Sequence, residues 1–156
     1  MTTPNSVEDF CRYALDVAEG QFTHDPVRLA SLFREYAEIQ RTPGLKKTVD
    51  LVRSLGINIQ AVSYLDTGGT NMTANGSWHI HYATKDRPPT QKFDIFHELF
   101  EVIHKNLNFF NPDYGLLREP YLSRYADRFA AATLIPPHFF LNQVGATGCD
   151  LVKLSE

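Results

Sequence analysis

Residues 90–106 constrain the fold more than any other stretch of the chain. Within them Phe93, Ile95, Phe96, Leu99, Phe100, Val102 and Ile103 cover most of a helix's circumference. A helix apolar on so many sides cannot lie on a surface, so it must run through the centre of a domain with other elements packed on several flanks. Its remaining face carries Asp94, His97, Glu98, Glu101 and His104, at helical offsets of three, four and seven. The plain reading of such a stripe is the solvated side of an amphipathic helix. Its content is unusual, however. Imidazoles and crowded carboxylates are offset by Lys105 alone, and their repulsion calls for water, a cation or a partner.

The flanking segments supply the elements that such a helix needs. Ser6 and Asp9 resemble a capping box that opens a helix with Phe10, Tyr13, Ala14 and Val17 on its apolar face. Asp25-Pro26 starts a second helix bearing Leu29, Leu32, Phe33 and Tyr36, and Pro43-Gly44 breaks the chain after it. A third runs from Leu45 through Val49 and Val52 to Leu55, with Gly56 as a left-handed stop. Past Gly56 the period becomes alternating, Ile57, Ile59 and Ala61 against Asn58, Gln60 and Val62, which predicts a strand. Asn75-Gly76, before the β-prone run SWHIHYA, predicts a tight hairpin and hence a small, mostly antiparallel sheet. After the central helix, Leu122, Ala126, Phe129, Ala130 and Thr133 make a small-residue helix face suited to close packing, ended by Pro136-Pro137. HFFLNQV reads as a further helical turn, and CDLVKLSE as the opening of a helix that the chain does not finish, as in a piece of something longer.

Length and composition narrow the function classes. At 156 residues, with 43% hydrophobic and 21% charged side chains, the chain suits one domain, 1–156, rather than a disordered, fibrous or disulfide-built protein. No apolar run is long enough for a membrane span, and the N-terminus lacks the pattern of a signal peptide, so a cytoplasmic location is expected. A net charge of −3 without a basic run argues against direct nucleic-acid binding. Cys11 and Cys149 stand far apart with no CxxC, as inert thiols in a reducing compartment would.

His97-Glu98-x-x-Glu101 differs at one position from the HExxH zinc motif. There the first and last residues turn their donors to one metal, and the adjacent Glu serves the attacking water as base. A carboxylate can replace the second imidazole as a zinc donor, so the geometry survives the change. His79 and His81, two apart on a strand, share a sheet face and form another donor pair, or else an exposed polar face. His104 is either a supporting residue behind the site or a surface side chain. Asp127 follows Tyr125 by two residues, about 200° round a helix, so the two do not suit one site.

From about Lys47 to Pro137 the chain resembles the ImmA/IrrE metallopeptidases. A helix ending in SLGINI and a small sheet precede KFDIFHELFEVIH, which stands in place of the usual R-F-x-x-A-H-E-L-G-H, and YADRFAAATLIPP matches E-A-N-x-F-A-A-x-L-L-M-P. The resemblance implies a zincin-like α+β fold with N-terminal helices (1–44), a metallopeptidase-like core (45–137) and a C-terminal helical segment (138–156). It also implies zinc, and cleavage of a transcriptional regulator under stress in bacteria and their mobile elements, phages included. Carried over by position, His97 and Glu101 are metal ligands, Tyr125 occupies the third ligand position, where the family has Glu, and Glu98 is the catalytic base. Glu101 in place of His, Phe100 in place of Gly and Tyr125 in place of Glu depart from the family pattern. Two functions follow. One is a zinc-dependent endopeptidase acting on a protein or peptide substrate; the other is a catalytically degenerate domain that binds a regulator or peptide without cutting it.

Overall fold

The computed structural model describes residues 6–18 and 25–135. Its elements are α1 (Val7–Ala18), α2 (Pro26–Tyr36), α3 (Leu45–Ser54), β1 (Asn58–Val62), β2 (Gly69–Ala74), β3 (Ser77–Ala83), α4 (Pro88–Phe110), a 3₁₀ turn (Pro112–Tyr114) and α5 (Tyr121–Leu134). This is the expected α+β arrangement of N-terminal helices, small sheet and central helix. The predicted turn over residues 138–144, the Pro136-Pro137 stop, the terminal segment and Cys149 lie outside the described residues.

Helix α4 is the axis of the domain, touching α1, α3, α5, β2 and β3. It is longer than the 90–106 stretch that its apolar residues predict. Pro88 and Pro89 form its first turn, where backbone N–H groups have no helical partner and proline costs nothing. Ile95, Phe96, Leu99, Val102, Ile103 and Leu107 are fully buried. Phe33 of α2 joins three helices to it, with its ring 5.2 Å from Phe10, 6.0 Å from Phe129 and 6.5 Å from Phe96. On α5, Ala126, Phe129, Ala130 and Thr133 are buried, and these mostly small side chains let it lie close to both α4 and α2. Arg34 donates to the Thr133 carbonyl and Thr42 to the Leu134 carbonyl at 2.7 Å, satisfying the last turn of α5.

The capping signals act as predicted: Ser6 Oγ accepts from Asp9 N–H at 3.0 Å, and Asp25 accepts from Val27 and Arg28 N–H. On α1, Val17 is 45% exposed and Cys11 lies in the core instead, because the buried arc follows 7, 10, 11, 14 and 18. Burial, with the charge of Glu8 adding to it, pushes the Cys11 thiol well above its ordinary range, so it packs and does not react. Gly56 has φ +80°, the left-handed stop of α3. Gly56→Ala is therefore expected to cost about 1–2 kcal/mol, read as a lower denaturation midpoint with unchanged m-value.

The strand order is β1-β3-β2. Asn75 (φ 53°) and Gly76 (φ 77°) turn β2 into antiparallel β3, as the Asn-Gly signal predicts. The expectation of a mostly antiparallel sheet needs one refinement, since β1 pairs with β3 in parallel. The loop after β1 crosses past the position of β3 to the far side, and the hairpin then returns β3 to the centre. This leaves β2 at an edge of the sheet.

Candidate metal centre

Helix α4 and strand β2 meet where the sheet has no bulk. A Cβ on Gly69 would stand 3.1 Å from Glu98 Cγ and 3.1 Å from the His81 carbonyl oxygen, so glycine is what permits this approach. Gly69 pairs with Tyr82 and Asn71 with Ile80, and residues paired across strands share a face. Asn71 is thereby aimed at α4. Its Nδ2 donates to Glu98 Oε1 at 2.8 Å and to Glu101 Oε1 at 3.4 Å, and its Oδ1 accepts from Lys105 Nζ at 3.1 Å.

His97, Glu98 and Glu101 offer donor atoms all within 4.8 Å of one another. His97 Nε2 lies 3.1 Å from Glu101 Oε2 and 3.7 Å from Glu98 Oε2. On the other side of the ring, Nδ1 donates to Asp127 Oδ1 of α5 at 2.7 Å. Burial alone would lower the His97 pKa, but the hydrogen bonds to Glu101 and Asp127 and the charge of Glu98 outweigh it and hold the pKa at about 9. Burial raises Glu98 above the ordinary carboxylate range despite the Asn71 hydrogen bond. Burial also acts to raise Glu101, yet its hydrogen bond to His97 and the charge of that ring prevail and hold it low. Asp94, a turn earlier, is pushed up to about 6 by burial and by Asp86.

These residues fit a divalent cation. One imidazole sits among carboxylates whose charges need compensation, and Asp127 on Nδ1 leaves Nε2 turned toward the two glutamates, the arrangement in which a histidine ligates through Nε2. The donor set is one nitrogen and carboxylate oxygens rather than two imidazoles.

Tyr125 packs against the hydrophobic core, with the Arg128 guanidinium 5.6 Å from its ring centroid. The α5 residue hydrogen-bonded to His97 is Asp127, which lies about 200° round the helix from Tyr125. His79 and His81 lie on the sheet face opposite Ile80 and Tyr82, away from α4, where His81 Nδ1 is hydrogen-bonded to Tyr64 Oη. They border a separate cavity with Arg53, Asn58 and Gln60. His104 is not a surface residue. It is 2% exposed, stacks on Phe100 at 5.8 Å, and accepts at Nε2 from Leu117 N–H at 2.9 Å, so it anchors the loop after α4. Sequence reasoning gives no sign of Asn71. Gly69 carries a usable one, since a glycine opening a strand often marks a close backbone approach.

Comparison with known proteins agrees with this architecture. A solved structure of a Mycobacterium tuberculosis transcriptional regulator superposes with a TM-score of 0.64 at 20% identity, over 95% of this chain and 46% of that one. The chain thus spans just under half of that protein's length, and at this identity the likeness concerns the fold alone. No curated protein gives a significant match. Residues 52–156, well over half of the chain, match the Peptidase_M78 family, the IrrE N-terminal-like domain, and the chain belongs to that family.

Proposed function

We propose that this domain is a metal-dependent endopeptidase that cleaves a protein substrate, a transcriptional regulator, in the cytoplasm. In this reading His97 and Glu101 hold the ion, taken as zinc, and Glu98 is the general base. The observation that carries the reading is the convergence of His97, Glu98 and Glu101 within 4.8 Å beside an edge strand. When bound, the ion would supply Lewis-acid polarisation of the scissile carbonyl and activation of water. Glu98, two-sided between His97 and Asn71 and with its proton affinity raised, is suited to take a proton and pass it to the leaving amine. Among the described residues, strand β2 has no strand paired on its outer edge, which suits an extended peptide whose main chain would add to the sheet alongside Glu98. The regulator as substrate rests on the family resemblance.

A second reading, a domain that binds a peptide without cutting it, has its own observation. Both His97 nitrogens are already engaged by carboxylates, and the third ligand position carries a phenol, Tyr125, half-buried against the core. The two are separated by a quenched fluorescent peptide library, with and without a chelator. The peptidase reading expects cleavage that the chelator abolishes and zinc restores; saturable binding of intact peptides with no cleavage under either condition supports the second.

Metal affinity should depend on pH in a defined direction. In the metal-free protein His97 keeps its proton up to about pH 9, and a cation must displace it. Apparent zinc affinity is expected to rise about tenfold per pH unit between 7 and 9 and to level above that. Calorimetric titrations in buffers of different ionisation enthalpy should register release of about one proton per ion at pH 7.

A further inference from the structure

We propose that Asn71, held by Lys105, is the positioning residue of this centre, selecting which oxygen of Glu98 and which of Glu101 faces the ion. The inference rests on the metal-dependent reading above. Asn71 Nδ2 takes Oε1 of both glutamates, at 2.8 Å and 3.4 Å. The oxygens left over are the two Oε2 atoms, and these are the ones that approach His97 Nε2, at 3.7 Å and 3.1 Å. One amide thus sorts the carboxylate oxygens into a set tied to β2 and a set turned to the donor cluster. Without it, two glutamates three residues apart on one helix would repel and rotate independently.

The direction of the amide is fixed by chemistry. An ammonium has only donors, so Lys105 Nζ, 3.1 Å away, must face Oδ1; carboxylates have only acceptors, so they must face Nδ2. Lys105 itself is steadied 5.6 Å from the Trp78 ring centroid. Asn71 reaches the helix only because Gly69, two residues earlier on the same strand face, has no Cβ to meet Glu98. A residue of the proposed peptide-binding edge is therefore also the residue that sets the glutamates.

The test uses Co²⁺ as the probe on the full chain, reading its visible absorption and its binding isotherm beside thermal unfolding of the metal-free protein. Asn71→Ala is expected to weaken Co²⁺ binding about 10–100-fold and to alter the absorption bands, with little change in melting temperature. Lys105→Met should move both readouts the same way by a smaller factor, and Lys105→Arg, which keeps a donor for Oδ1, should restore them. Should Asn71→Ala fail to fold, exposed Lys105 carries the decision alone. Unchanged affinity and spectrum in a folded Asn71→Ala, or in Lys105→Met, overturn the assignment of Asn71 while leaving the metal centre standing. Absence of Co²⁺ binding by the wild-type chain overturns both.

Discussion

Glu98→Gln is expected to reduce peptide hydrolysis by a factor of about 10²–10⁴ while leaving fold, metal content and partner affinity near wild type. The change keeps the side chain's shape and an oxygen to accept from Asn71, and it removes only the capacity to take and return a proton. Glu98 is 6% exposed, and burial raises its carboxyl above the ordinary range, which strengthens it as a base. The decisive readout is the length of the regulator in cells, followed by immunoblot with expression of its target genes. A shortened regulator with wild type and an intact one with Glu98→Gln establish the peptidase. An intact regulator with both, and an unchanged gene response, leave the non-cleaving domain.

Phe33→Ala is expected to cost about 3–5 kcal/mol, a large part of the 5–15 kcal/mol typical of a domain. Phe33 has no exposed surface and lies against Phe10, Phe96 and Phe129, which belong to three different helices that cannot all close on the void. The denaturation midpoint should fall with the m-value unchanged. The same substitution loosens α5, so Asp127 should lose its alignment on His97 and metal affinity should fall with stability.

Much of this architecture is legible locally. The apolar circumference of α4, the cap at Asp25, the stop at Gly56 and the hairpin at Asn75-Gly76 each follow from a physical rule acting over a few residues. What local rules do not carry is the relation between distant elements. The parallel pairing of β1 with β3 depends on where the hairpin inserts, and nothing in either strand's alternation records it. The rotation of α5 about its axis brings Asp127 to His97, and that rotation is set by Ala126, Phe129 and Ala130 seating against α4 and α2. His104 shares a helix face with His97 in sequence, yet it is buried and the loop through Leu117 folds onto its Nε2, a contact no local pattern records. At the centre itself, His97, Glu98 and Glu101 are legible from the HExxE spacing together with the family resemblance, whereas Asn71 and Asp127 come from elements far away in the chain.

The most direct measurement is elemental analysis of wild-type, His97→Ala and His79→Ala/His81→Ala proteins, each purified without added metal. About one equivalent of zinc in the wild type and in the double variant, and none in His97→Ala, is the expected result, because Nε2 of His97 is the one nitrogen donor in the cluster. Full metal content in a folded His97→Ala protein, with loss in the His79/His81 variant, would contradict it and move the centre to the far face of the sheet.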